Sequence, residues 1–104
     1  MIDNQLIQNS NTNIYTVPTG ESHTIVLITL CNTDTSNPET ITLYAVKNGD
    51  TPGTHNMILN NAEIPAGDTY MFDVQKFILE EGDSIVGIGN TGNIVAATVS
   101  HIMM

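Results

Sequence analysis

Three segments with one shared chemistry punctuate this chain: Pro18-Thr19-Gly20-Glu21-Ser22, Pro65-Ala66-Gly67-Asp68-Thr69 and Glu80-Glu81-Gly82-Asp83-Ser84. Each places a glycine, free to adopt backbone angles that other residues avoid, before an acid that keeps the corner in water. A hydroxyl residue then leads into an apolar run. The first two carry a proline two residues before the glycine, which suits position i+1 of a type I turn with glycine at i+3. All three read as strand entrances. Between breakers the apolar residues alternate or run in short blocks rich in β-branched types, with no sustained helical period.

Strands are expected at 13–17, 23–32, 40–47, 55–61, 68–75, 84–89 and 94–102. Asn37-Pro38 parts the second from the third, and Asn48-Gly49-Asp50 with Pro52-Gly53 parts the third from the fourth. Asn90-Thr91-Gly92-Asn93 is short enough to close a hairpin between the last two. About seven to eight strands with regular turn signals predict an all-β fold, a single two-sheet antiparallel β-sandwich. Jelly-roll and immunoglobulin-like windings use similar strand counts, so spacing leaves that choice open.

A chain of 104 residues suits one domain, which at this size buries roughly two-thirds of its unfolded surface. The expected organisation is an N-terminal arm over 1–12 followed by the sandwich over 13–104. Cys31 is the single cysteine and, inside an apolar run, reads as a small hydrophobe. The longest apolar stretch, Ile25 to Leu30, is too short to cross a bilayer, and no basic segment followed by an apolar one opens the chain. A soluble, unprocessed protein with no membrane partner is expected. Eleven acids face only Lys47 and Lys76, with no arginine. Phosphate-backbone binding relies on cationic side chains displacing counterions, so a nucleic-acid partner is not expected. Asn and Thr make up a quarter of the residues, which leaves a mostly uncharged polar surface.

Strict alternation does not account for every strand. Ile25 and Leu27 oppose Val26, Ile28 and Leu30, and near the C-terminus Ile94, Ala96 and Ile102 oppose Val95, Ala97 and Val99. One face of each strand fills the core, so the other requires a cover, and the loops are too short and polar to supply it. The arm carries the apolar pairs Met1-Ile2 and Leu6-Ile7 on a polar thread, and the chain ends on Ile102-Met103-Met104. Met1, Ile2, Leu6, Ile7, Ile25, Leu27, Ile102, Met103 and Met104 are therefore the candidate partner-interface residues.

No catalytic residue, cofactor or metal ligand is expected. His23, His55 and His101 are scattered and match no nucleophile or zinc-ligand spacing. Glu80 and Glu81 are adjacent at a turn and diverge. Glu21, Asp68 and Asp83 each follow a glycine, where turn capping explains them. Asn32-Thr33-Asp34-Thr35-Ser36-Asn37 lacks the glycine and distal glutamate of a calcium loop. A deep cleft in which histidines and carboxylates meet would overturn this non-enzymatic reading.

The run Ile14-Tyr15-Thr16-Val17-Pro18-Thr19-Gly20, then Ile25 to Thr33, resembles small virion structural proteins of tailed bacteriophages, especially marine and cyanobacterial ones. The later pieces Ile64-Pro65-Ala66-Gly67-Asp68, Leu79-Glu80-Glu81-Gly82-Asp83-Ser84-Ile85 and the closing strand to Val99-Ser100 share the likeness, which covers most of residues 13–100. The resemblance implies a β-sandwich made in the host cytoplasm and added to the phage particle. Its implied partners are other virion proteins, major capsid or neck and tail proteins, and further copies of itself. Capsid decoration or cementing is the leading expectation. A neck, tail or fibre-associated protein, or a receptor- or glycan-binding sandwich, is the alternative.

Overall fold

The computed structural model describes residues 2–72 and 77–103, and the strands among them are β1 (Ile2–Leu6), β2 (Thr12–Thr16), β3 (His23–Asn32), β4 (Glu39–Val46), β5 (Met57–Ile64), β6 (Thr69–Phe72), β7 (Phe77–Leu79), β8 (Ser84–Gly89) and β9 (Val95–Met103). A single 3-10 turn, Thr54–Asn56, precedes β5. The pairing is that of one long hairpin: β4 meets β5 at its tip, β3 meets β6 and β7, β2 meets β8, and β1 meets β9, all antiparallel. Wound up, it splits into sheet A, order β1-β9-β3-β6 with β7 also on β3, and sheet B, order β2-β8-β4-β5. This nested order is a jelly roll, which resolves the winding that spacing left open. The two-sheet antiparallel sandwich read from the sequence is the observed fold.

The core lies between the sheets. Ile25, Ile28 and Leu30 of β3 and Ala97 and Val99 of β9 face Ile41 and Leu43 of β4 and Ile85 of β8, all fully buried. A Cβ at Gly87 would lie 3.0 to 3.2 Å from the ends of Ile14, Leu43 and Ile7, so any larger residue at this strand position requires those side chains to give way.

The three turns form where expected, in a different geometry. Glu21 donates to the Pro18 carbonyl, Asp68 to Pro65 and Asp83 to Glu80, so the glycine sits at i+2 and the first residue at i. Gly20, Gly67 and Gly82 all have φ between 71° and 82° while the residue before each does not lie in the left-handed region. That combination is a type II turn, which demands glycine for its backbone angle; at Pro18 and Pro65 it stands in place of the expected type I turn.

Three further expectations change. Residues 2–6, within the N-terminal arm expected over 1–12, pair along β9 as the edge strand β1, where their backbone groups extend the ladder. Asn90 to Asn93 does not close a hairpin: β8 belongs to sheet B and β9 to sheet A, so the segment crosses between sheets. Of the strand expected over 68–75, residues 69–72 form β6, and 73–75 lie outside the described residues.

The doubly apolar β3 has a local cause. Ile25 pairs with His101 and Leu27 with Ser100, leaving Val26 without an opposite residue, a β-bulge that shifts the alternation by one. Ile25, Ile28 and Leu30 all turn inward as a result, while Val26 and Leu27 remain outside.

Candidate functional site: an uncharged sheet face and a histidine pair

The outer face of sheet A follows from the strand registers, because directly paired residues share a face. Four rows cross it: Ile2, Ser100 and Leu27; Asn4, Thr98, Thr29 and Met71; Leu6, Ala96, Cys31 and Thr69; and Ile102, Thr24 and Ile78. None of these residues is charged, although the chain carries a net charge of −9. The large apolar side chains exposed among the described residues are Ile2, Leu6, Val26, Met71, Ile78, Ile102 and Met103, and every one lies on a sheet A strand. Ile78 is 61% exposed and Ile102 is 56% exposed, flanking Thr24 at one end.

Of the interface residues proposed from sequence, Ile2, Leu6, Leu27 and Ile102 share this face. Ile7 and Ile25 are wholly buried and belong to the core: Ile7 follows β1 along the β9 ladder, its N–H donating to the Val95 carbonyl, and the bulge turns Ile25 inward. Met103 pairs with His23, so it is on the inward side of β9 at the rim. Met1 and Met104 lie outside the described residues. Val26, Met71 and Ile78 were missed. Met71 and Ile78 alternate with Tyr70, Phe72, Phe77 and Leu79, which pack on the core, and that alternation was the available signal.

At the same end, the inner side of sheet A holds a cluster that sequence spacing concealed. His23 begins β3 and His101 ends the buried run of β9, and their rings stack with centroids 4.7 Å apart and planes 12° apart. Tyr15 of β2 closes over both, 4.5 Å from His101 and 5.6 Å from His23. Each imidazole has its own carboxylate: His23 Nε2 lies 2.7 Å from Glu21 Oε1, and His101 Nε2 lies 2.7 Å from Asp3 Oδ2. The Tyr15 hydroxyl is 3.4 Å from His101 Nδ1. His23 Nδ1 is buried with no hydrogen-bond partner among the described residues. A depression of about 460 Å³ opens beside the cluster, walled by Asp3, Tyr15, Pro18, Glu21, His23 and His101.

The histidines are thus not scattered in space, which corrects the sequence reading for two of the three. Burial first, then His101, holds the His23 imidazole below its ordinary value of 6.5, while Asp3 pulls the other way. Near-parallel stacking keeps the two rings from converging on one point. Among the described residues, no group of three or more His, Cys, Asp or Glu is placed to hold a metal ion.

His55 sits apart on the surface, 2.8 Å from Asp50, and its hydrogen bond is the main cause that holds the Asp50 carboxyl below the usual range. The loop from Asn32 to Asn37 organises itself. Buried Asn32 donates through Nδ2 to the carbonyls of Asn37 and Ile64, each at 3.0 Å, and accepts from the Asp34 N–H at 2.9 Å. The Ser36 N–H, then the Asn37 side chain, keeps Asp34 ionised below its usual range. No protein-family model matches the chain, and no curated protein matches it.

Proposed function

We propose that this chain is a non-enzymatic structural protein of a bacteriophage virion, a capsid decoration or cement protein, which associates with copies of itself and with other virion proteins through the outer face of sheet A. The observation that supports this reading is that face: a contiguous apolar and hydroxyl surface without charge on a strongly acidic molecule. Acidic copies repel one another wherever carboxylates cluster, so an uncharged face is where they approach at least electrostatic cost. Exposed apolar side chains add the driving force for burial. Repetition on a particle then turns weak single contacts into firm attachment through avidity. The resemblance in the turn and strand segments supplies the virion context.

The histidine pair bears on the alternative of an enzyme. Each Nε2 is occupied by a carboxylate, and the Tyr15 hydroxyl beside His101 is itself on a buried residue, an arrangement suited to holding strand ends together. Light scattering on the purified protein and co-sedimentation with phage particles test the proposal. An oligomer that binds particles is expected; a monomer without affinity for capsids or tails overturns it. So does any turnover abolished by replacing His23 or His101. Specific signals on a glycan array would favour the receptor-binding alternative.

A further inference from the structure

We propose that His23 is an acid sensor for one end of the sandwich: below neutral pH its ring takes a second proton, leaves its buried position and loosens β7 and the end of β9. The inference stands on the geometry of the cluster and does not require the docking role of sheet A.

With Nε2–H donating to Glu21, neutral His23 keeps its Nδ1 as a bare lone pair, and that atom is buried without a partner among the described residues. Protonation converts it into an N–H with no acceptor, a costly group to leave buried. It also places a positive charge against the stacked ring of His101 at 4.7 Å. The titratable and charged groups facing His23 are Glu21 from the turn before β3, Asp3 from β1, Tyr15 from β2 and His101 from β9, with the chain's α-amino group as a lesser influence. Among the described residues Glu21 alone bonds to the ring, and it is already engaged through Nε2. The new N–H therefore finds an acceptor by swinging towards water.

His23 pairs through its backbone with Leu79 of β7 and Met103 of β9, so a ring that leaves the inner face removes packing from beneath the ladder at those two ends. Since the folded value of the imidazole lies below the unfolded one, the unfolded chain binds more protons in the interval between them. The stability due to neutral His23 is complete above pH 6.5 and is lost as pH falls from there through the folded value.

Hydrogen exchange at about pH 7.5 and about pH 5, corrected for the intrinsic pH dependence of amide exchange, tests this. The amides of Phe77–Leu79 and His101–Met103 are expected to lose protection in acid while those of β4 and β8 keep theirs. In His23→Gln the side-chain amide still donates to Glu21 but does not titrate, and the acid-induced loss is expected to vanish. An equal loss in the variant, or uniform loss across both sheets in the native protein, overturns the proposal. Should the variant not fold, ring nitrogen shifts of the native protein serve. A neutral Nε2–H tautomer whose protonation coincides with loosening of β7 supports it, and a ring that titrates while β7 stays protected overturns it.

Discussion

Sheets A and B are built from similar β-branched strands, yet their outer faces meet water differently. On sheet B, Thr42, Val46 and Val86 point away from the core and are still buried. Val86 is flanked across the ladder by Tyr44 and Asn13, and Thr42 exchanges hydrogen bonds with Asn61 at 3.0 and 3.2 Å. On sheet A the outward neighbours are Thr, Ser and Ala beside isolated large residues, too small to cover them. Val86 and Thr42 are thus covered by their cross-strand partners, whereas Ile78 and Ile102 have only Thr24 between them. Sheet B covers its outward apolar residues; sheet A leaves several of its own exposed.

The sharpest way to break this comparison is at β3, where the bulge decides which side chains belong to the core and which to the face. Ile25→Ala and Ile28→Ala should each cost about 3 kcal/mol in denaturant unfolding, as buried core truncations do. Leu27→Ala should cost under about 1 kcal/mol, because it lies on the half-exposed outer side. Unbroken alternation pairs Ile25 with Leu27 instead, so equal losses at those two positions would refute the bulge account.

A smaller effect is expected beneath sheet B. Gly87→Val pushes its side chain into Ile14, Leu43 and Ile7, and overpacking of this kind costs about 2 kcal/mol. Thermal or urea unfolding reads it directly; a neutral result would mean that the inner face of sheet B is looser than its contacts indicate.

The smallest change in stability should bring the clearest change in association. Ile78→Lys combined with Ile102→Lys charges the exposed end of the sheet A face and should alter folding stability by less than about 0.5 kcal/mol. Self-association measured by sedimentation is expected to weaken by more than about tenfold, since like charges then meet across the contact. The matched change on sheet B, Thr40→Lys with Ile88→Lys, should leave association intact. If both pairs act alike, the distinction between the faces fails.

Much of the architecture was legible in the chain. Glycine before an acid is a local requirement of the turn backbone, so Gly20, Gly67 and Gly82 mark corners without tertiary information. The turn type was not legible, because Pro at i and Pro at i+1 differ by one residue and only the hydrogen bond distinguishes them. The edge strand β1 was missed because Ile2 to Leu6 takes its order from the ladder with β9, its partner at the far end of the sequence. The histidine pair was missed for the same reason: residues 23 and 101 meet only when β3 lies beside β9.

By itself the sequence determined an all-β sandwich with wet, acidic corners, for turn chemistry and charge balance are properties of neighbours along the chain. Tertiary structure alone decided the jelly-roll winding, the inward turn of Ile25, the bare face of sheet A and the stacking of His23 on His101. Each depends on which strand lies beside which, and that choice is made by burying a common core, where every segment competes for the same apolar space.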